Sequence, residues 1–157
     1  MNSVLLRMTL WISLIVSSVP GVAAPEATVT APVGIQTLTL AEALSAYHES
    51  GDIEAFQCVH VPAGKNNMAL KGAKPVAVEF DEKIYLRING KLLGVARNGS
   101  GKKYSSFSSG TTKVDVFIKK TINPSEYGES SDRLMRLTVV HGGKKFSLKT
   151  FGAACGI

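Results

Sequence analysis

The sequence predicts an all-β fold: a small antiparallel β-barrel of seven to eight strands, preceded by a short N-terminal helix and closed by one disulfide. Three observations predict it. Short segments after Ala55 alternate apolar and polar side chains, as half-buried strands do. Two dipeptides between such segments, Asn89-Gly90 and Gly142-Gly143, are typical of two-residue hairpin turns. The two cysteines, Cys58 and Cys155, lie near the two ends of this strand-rich region.

The strands follow from the alternation in chain order. This many short strands in about 100 residues indicate a barrel or a sandwich. Closure of the sheet would place the strands next to Cys58 and Cys155 side by side. Two polar segments, from 97 to 112 and from Thr121 to Arg133, are expected to be loops. The predicted strands are 56–61, 76–80, 83–88, 91–96, 113–119, 134–140 and 145–150.

A short helix is expected from Leu40 to about Glu49. Thr39-Leu-Ala-Glu42 fits a capping box, in which the threonine hydroxyl accepts from a backbone N–H and the glutamate reaches back. Gly51 supplies a stop signal. The helix would pack against the barrel or lead into it, using one apolar face formed by Leu40, Ala43, Leu44 and Tyr47.

The start of the chain is typical of a secretory signal peptide. Arg7 supplies a positive charge, an apolar run of about a dozen residues follows, and Gly21 and Ala23 are small residues before a cut. The apolar run is shorter than the ~20 residues that span a bilayer, so an exported product is favoured over an uncleaved anchor. The predicted divisions are the signal at 1–23, a leader with the short helix at 24–52, and the barrel domain at 53–157.

Export makes the cysteines informative, because exported proteins fold in an oxidising compartment. Cys58 and Cys155 are the only cysteines, and one disulfide between them would close a loop of 97 positions. The chain-entropy model assigns about 4–5 kcal/mol to a loop of that length. Two separate thiols or a metal pair are the alternatives. No His-rich spacing accompanies either cysteine, which disfavours metal binding.

Composition and motifs exclude several classes of function. The chain has 18 Lys and Arg against 12 Asp and Glu, a net charge of +6 that becomes +5 without Arg7. This excess is weak for a nucleic-acid binder, and no basic repeat supports one. No nucleophile elbow, HExxH or P-loop is present, and His48, His60 and His141 are scattered. We therefore expect a protein that is not an enzyme and that uses no catalytic residue, metal or cofactor.

The polar segment from Arg97 to Tyr104 carries a recognisable motif. Its run Ser100-Gly-Lys-Lys-Tyr104 matches the Ser-Gly-x-x-Tyr motif of bacterial inhibitors of c-type lysozyme, both membrane-bound and periplasmic. The resemblance extends to about Cys155. Three further segments are similar to that family: the aromatic-x-Cys opening at Phe56-Gln-Cys58, the hairpin at Asn89-Gly90-Lys91, and a later strand ending in lysine at Val116–Lys120.

The sequence departs from the family pattern in that later strand and beyond it. Family members usually show Phe-Trp-x-Lys-Gly. In this sequence the usual Trp is replaced near Phe117 and Ile118, and Lys120 stands in place of the Gly. The segment from Thr121 to Arg133 is longer than expected. The functional lysine is therefore assigned to Lys119, with Lys120 and Lys113 as alternatives.

The resemblance implies a periplasmic or secreted inhibitor that catalyses no reaction and takes no cofactor. A protruding loop would enter the lysozyme cleft, where Ser100 would bond one catalytic carboxyl and Lys119 would pair with the ionised one. Tyr104 would brace the loop. The implied partner is c-type lysozyme; a homodimer is left open, and neither nucleic acid nor a membrane anchor is expected. The implied lysozyme-binding residues are Ser100, Gly101, Lys103, Tyr104, Lys119 and Lys120.

A second hypothesis is an exported binding module for an anionic envelope polymer or another protein partner. The alternative is that the lysines assigned to this binding are ordinary solvated residues at the ends of strands. A small hydrolase with an unrecognised site is a third hypothesis. The lysines that the polymer hypothesis uses are Lys102, Lys103, Lys119, Lys120, Lys144 and Lys145.

Overall fold

The computed structural model describes residues 34–51 and 58–156. The predicted signal at 1–23, most of the predicted leader and Phe56 lie outside these residues. Within them, no helix has the length and apolar character needed to cross a membrane.

One helix and nine strands make up the described chain. Their hydrogen bonds form a single antiparallel sheet. Most strands pair with the strand that precedes or follows them in the sequence. The elements are β1 (Ile35–Gln36), α1 (Leu40–Glu49), β2 (Cys58–Pro62), β3 (Ala77–Glu79), β4 (Lys83–Ile88), β5 (Lys91–Gly101), β6 (Tyr104–Ser109), β7 (Thr112–Ile122), β8 (Ser130–His141) and β9 (Lys144–Gly156).

The sheet closes on itself, which confirms the predicted barrel. Going round it, the strand order is β4-β3-β2-β9-β8-β7-β6-β5, and β5 pairs again with β4. The closing pair between the two ends of the domain is Val61 with Phe151. The short β1 adds to β4 beyond the end of β3, through the pair Ile35 with Ile88. Eight strands enclose a space that side chains can fill.

Two tight turns form where the sequence predicts them. Asn89 and Gly90 both have positive φ, at 50° and 80°, and Gly142 and Gly143 have φ of 54° and 77°. A type I′ turn requires positive φ at both central residues, which glycine and asparagine adopt at low cost. These turns set the registers of β4 with β5 and of β8 with β9.

The segment predicted as a loop from 97 to 112 is mostly strand instead. β5 continues through the polar run to Gly101, and β6 occupies Tyr104–Ser109. The predicted long loop is also shorter, because β7 extends to Ile122 and β8 begins at Ser130. Low β-propensity hides these strands from the sequence, whereas pairing with both neighbours stabilises them.

The barrel interior is filled by alternate residues of each strand. Val114 and Val116 of β7 and Leu137 and Val139 of β8 are almost fully buried there, as is Phe107 of β6. Their neighbours along each strand point outward. The interior holds one continuous apolar core, which is the main favourable contribution to stability.

Cys58 and Cys155 form the predicted disulfide, and both are buried. The bond crosslinks the first residue of β2 to the end of β9. Gly152 leaves the space that the sulfurs occupy, since a Cβ there would lie 2.5 Å from Cys155 Sγ and 2.7 Å from Cys58 Sγ.

Helix α1 has the predicted start and packs against the outside of the barrel. Thr39 accepts from the backbone N–H of Glu42, whose carboxylate accepts from the backbone N–H of Thr39. Tyr47 stacks on Phe80 with ring centroids 4.3 Å apart. Tyr85 donates from its hydroxyl to the Ala46 carbonyl. The outer surface of β3 and β4 is therefore a second apolar cluster, covered by α1.

Candidate functional site

One end of the barrel opens into a cavity of about 470 Å3. Each barrel strand begins or ends there, so residues from distant parts of the sequence meet at one rim. The cavity walls combine charged and hydroxyl side chains with backbone. The lining residues are Cys58, Glu79, Phe80, Asp81, Glu82, Arg97, Ser100, Gly101, Lys102, Ser105, Ile118, Arg133 and Gly156.

The β5–β6 hairpin brings the Ser-Gly-x-x-Tyr motif to this rim. Ser100 is paired with Ser105, and both line the cavity. Gly101 is paired with Tyr104, so Lys102 and the residue after it form the two-residue turn at the tip. The motif predicted as a loop is therefore the tip of a paired hairpin, which holds Ser100 at a fixed register.

The Tyr104 ring packs against Gly101 on the opposite strand. A Cβ at Gly101 would lie 2.5 Å from Tyr104 Cε1. Because glycine has no Cβ, the ring can lie against the opposite backbone. Half of Tyr104 remains exposed, with a relative accessibility of 50%. The ring therefore packs on the hairpin and still presents a surface to solvent.

Lys119 lies beside the hairpin tip. The backbone N–H of Ile118 donates to the Lys103 carbonyl at 2.8 Å, which joins the end of β7 to the β5–β6 turn. The register between β7 and β8 shifts between Ile118 and Lys120, so Lys119 occupies a β-bulge. Its Nζ lies 4.6 Å from the centroid of the Phe117 ring. The consecutive antiparallel pairing of β5, β6 and β7 thus places Ser100 and Lys119 at the same end of the barrel.

The other predicted residues occupy different places. Lys103 is in the turn, and Lys120 is exposed beside Leu134 of β8. None of the three residues Lys103, Lys119 and Lys120 lines the cavity. Lys113 pairs with Asp115 at 3.2 Å. It is six positions from Lys119 on β7, or about 20 Å along the strand. Lys113 therefore belongs to the opposite end of the barrel.

A buried polar network under the cavity has no counterpart in the sequence-based prediction. His60 is fully buried, with Nε2 3.1 Å from Glu79 Oε2 and Nδ1 3.3 Å from Thr150 Oγ1. Arg97 Nη2 lies 3.2 Å from Glu79 Oε1. Strand alternation in β2 places His60 on the same side as Cys58, and this signal alone could have identified it as inward-facing.

The surroundings of Glu79 keep it ionised. Burial favours the neutral carboxyl, but the hydrogen bond and charge of His60, the charge of Arg97 and the hydrogen bond of Ser105 outweigh burial. The pKa of Glu79 is therefore lowered from its ordinary value of 4.5. Burial lowers the pKa of Arg133, an effect that the charge of Glu79 opposes.

Two arginines shape the cavity wall. Arg97 Nη2 donates to the Phe80 carbonyl at 3.1 Å, and its guanidinium carbon lies 4.7 Å from the centroid of the Phe107 ring. Arg133 donates to the Gly156 carbonyl and, at 3.2 Å, to Ser131 Oγ. These bonds hold both cations in fixed positions at the rim. The wall can therefore accept hydrogen-bonding and charged groups without rearranging.

Within residues 34–51 and 58–156, no three His, Cys, Asp or Glu side chains are grouped so that they could hold a metal ion.

No family model matches the sequence, and neither a curated protein nor a solved structure is significantly similar to the chain.

Proposed function

We propose that this protein is an exported inhibitor of c-type lysozyme that acts by occluding the enzyme's cleft. The observation that carries the proposal is the position of Ser100, the hairpin tip and Lys119 at the same end of the barrel. These are the groups that the family resemblance assigns to lysozyme binding. The proposed location is the periplasm or the outside of the cell, where the protein would protect peptidoglycan from lysozyme.

The chemistry of the tip is complementary to a lysozyme cleft. Glycoside hydrolases of this kind use two carboxyl groups, one protonated and one ionised. The Ser100 hydroxyl can donate to one carboxyl, and the Lys119 ammonium can pair with the other. Charge-assisted hydrogen bonds are stronger than neutral ones, especially where water is excluded. Such an inhibitor binds without transferring any group, so no catalytic residue is needed.

Pre-organisation of the hairpin supports tight binding. Ser100 and Tyr104 are held by pairing with neighbouring strands, and the Tyr104 ring packs on Gly101. A segment that is already ordered loses little conformational entropy when it binds. The barrel and its disulfide provide a rigid base for the tip.

The net charge of +6 gives no long-range steering towards a basic lysozyme. Affinity would come from local contacts inside the acidic cleft. Salt screens the repulsion between like-charged proteins, so the association rate with a basic lysozyme should rise with moderate ionic strength. An inhibitor of opposite charge would instead associate more slowly as the ionic strength rises.

A lysis assay tests the proposal. Lysozyme is added to Micrococcus cells with the purified exported protein in micromolar excess, and the fall in turbidity is followed. The wild-type protein should prevent lysis. The double variant Ser100→Ala, Lys119→Ala should inhibit about 100-fold less well, because one neutral and one charge-assisted hydrogen bond are lost.

A matched control uses the other end of the same two strands. Ser108 and Lys113 are paired across β6 and β7 and lie away from the tip. The variant Ser108→Ala, Lys113→Ala should inhibit within about 2-fold of wild type. Unaffected lysis with wild type would overturn the proposed function. Equal inhibition by the two double variants would show that the tip is not the inhibitory site.

A further inference from the structure

The outer surface of β6 to β9 presents side chains in ordered rows. Inward residues such as Val114 and Leu137 alternate with outward ones, and the strand registers align the outward residues across four strands. We call this surface the basic face. Its rows are Ser108, Lys113, Val140 and Lys145; Ser106, Asp115, Thr138 and Ser147; and Tyr104, Phe117, Arg136 and Lys149, with Lys119 above Phe117.

Cations dominate these rows. Lys113, Lys119, Arg136, Lys145 and Lys149 are the five basic residues of the basic face, and all are exposed. Asp115 is the one carboxylate in the rows, and it bonds Lys113 and Ser106. Within residues 34–51 and 58–156, neither Arg136 nor Lys145 has an ion-pair partner. The surface therefore carries an uncompensated positive charge.

Two aromatic rings lie within the same surface. Phe117 and Tyr104 are direct cross-strand neighbours with relative accessibilities of 43% and 50%. Uncharged hydroxyls occupy most of the middle row, where Thr138 and Ser147 lie 3.3 Å apart. A surface with flat rings, hydroxyls and separated cations offers stacking, hydrogen bonding and charge pairing together.

The other outer face of the barrel has the opposite character. Val78, Phe80 and Tyr85 are apolar, and helix α1 covers them. That face is therefore already occupied by the protein itself. The basic face has no such cover from the described chain, because its lysines and both rings are exposed.

We propose that the basic face binds an anionic polysaccharide. The rings of Tyr104 and Phe117 would contact the C–H surface of sugar rings, and Arg136, Lys145 and Lys149 would pair with their acidic substituents. The hydroxyl row would bond sugar hydroxyls. This site lies on the side of the barrel and shares Tyr104 and Lys119 with the proposed inhibitory tip. Arg136 and Lys145 belong to the basic face alone, so variants at these two residues test polysaccharide binding separately from inhibition.

The spacing of the cations favours a polysaccharide over a nucleic acid. Residues two apart on a strand are about 7 Å apart, and neighbouring strands are about 5 Å apart. The rows that hold Lys145 and Lys149 are therefore about 14 Å from each other. Each strand of duplex DNA carries a charge about every 3.4 Å along the helix axis, which needs a denser array of cations. A polysaccharide with an acidic group on some of its sugars has sparser charges.

The packing of the two rings disfavours insertion into a lipid bilayer. Interfacial binding to membranes uses apolar side chains that are buried several ångströms into the bilayer. Here the Tyr104 ring lies against Gly101, and the Lys119 ammonium lies over the Phe117 ring. Neither ring can insert deeply without losing these contacts.

Affinity electrophoresis tests this proposal. The purified exported protein is run in native gels that contain hyaluronate, which has a carboxylate on every second sugar, and in gels that contain dextran, an uncharged polysaccharide. Retardation by hyaluronate alone, which weakens as salt is added, is the expected result. The double variant Arg136→Gln, Lys145→Gln should bind hyaluronate about 10- to 30-fold more weakly, since each cation near an anionic surface contributes several-fold.

The matched control removes two exposed cations elsewhere. The variant Lys71→Gln, Lys91→Gln has the same net charge as the first variant, and it should bind within about 2-fold of wild type. Equal weakening of both variants would overturn the proposal, because net charge alone would then explain binding. Absence of retardation in wild type would also overturn it, as would tighter binding to oligothymidylate or to phosphatidylglycerol vesicles.

Discussion

The Nε2 atom of His60 lies 3.1 Å from the Oε2 atom of Glu79 inside the barrel. The other ring nitrogen lies 3.3 Å from Thr150 Oγ1, so both nitrogens of this fully buried side chain have partners. Arg97 approaches the second carboxylate oxygen of Glu79. The network joins β2, β3, β5 and β9 directly beneath the cavity, and it fixes the position of Arg97 at the rim.

Glu79→Gln should lower stability by about 1–3 kcal/mol near neutral pH, because a part-buried, hydrogen-bonded charge is removed. Burial alone would raise the pKa of Glu79, but His60, Arg97 and Ser105 lower it below 4.5. The stabilisation that the ionised carboxylate provides is fully present above about pH 4.5, and it is lost as the pH falls through the folded-state pKa. Urea unfolding at a series of pH values should therefore show the gap between wild type and variant shrinking in acid.

Glu126→Gln is the control for the loss of one negative charge, because Glu126 is exposed between β7 and β8. Its effect at neutral pH should stay within about 0.5 kcal/mol. A gap between wild type and Glu79→Gln that stays constant down to acid pH would contradict the ionised state assigned to Glu79.

Gly101→Ala should destabilise the β5–β6 hairpin by about 1–2 kcal/mol. The new methyl would lie 2.5 Å from Tyr104 Cε1, so the ring must move off the backbone. Gly99→Ala is a matched control on the same strand, where the nearest atom would be Ser106 Cβ at an ordinary 3.9 Å. Denaturant unfolding measures both variants.

A double-mutant cycle isolates the contact with the ring. In the Tyr104→Ala background, Gly101→Ala should cost much less than in wild type, since the clash no longer exists. An equal cost in both backgrounds would mean that the penalty at Gly101 comes from its backbone rather than from Tyr104.

Cys58→Ala, Cys155→Ala should lower the free energy of unfolding by about 4–5 kcal/mol in the chain-entropy model. The disulfide closes a loop with a sequence separation of 97, so its loss frees most of the unfolded domain. The urea m-value should increase, because the unfolded chain then exposes more surface. Reduced wild-type protein provides a second measurement. If neither the double variant nor the reduced protein has a lower free energy of unfolding than the oxidised wild type, the disulfide does not stabilise the fold.

Tyr47→Ala should cost about 3 kcal/mol and release α1 from the barrel. Tyr47 is 2% exposed and stacks on Phe80 with nearly parallel rings. Glu49→Ala, on the exposed side of the same helix, should cost less than about 0.5 kcal/mol. Hydrogen exchange of the α1 amides would distinguish local release from global unfolding; unchanged protection in Tyr47→Ala would contradict the proposed anchoring.

Local sequence patterns predicted the turns and the helix start correctly. Asn89-Gly90 forms its hairpin because these residues adopt positive φ without help from the rest of the fold. The Thr39 capping box likewise depends on residues three apart. The disulfide between Cys58 and Cys155 was predictable because the chain offers one pairing.

Strands of low propensity were not predictable in this way. The Ser-rich β6 has one strongly buried side chain, Phe107, and its ladder bonds come from β5 and β7. Alternation in 76–80 indicates a half-buried strand, whereas β3 is covered on both sides: Val78 lies under α1 and Glu79 faces the interior. Burial on two faces depends on elements far away in the chain.

The sequence alone therefore determined the alternation of the strands, the tight turns, the helix cap and the cysteine pair. The first three depend on residues close together in the chain, and the cysteine pair follows because the sequence contains only two cysteines. Tertiary structure decided the closure of the sheet, the placement of Ser100 and Lys119 at the same end of the barrel, and the inward position of Glu79. Its partners His60 and Arg97 are 19 and 18 residues away. Burial can be tolerated by such a carboxylate only when distant strands bring compensating charges to it.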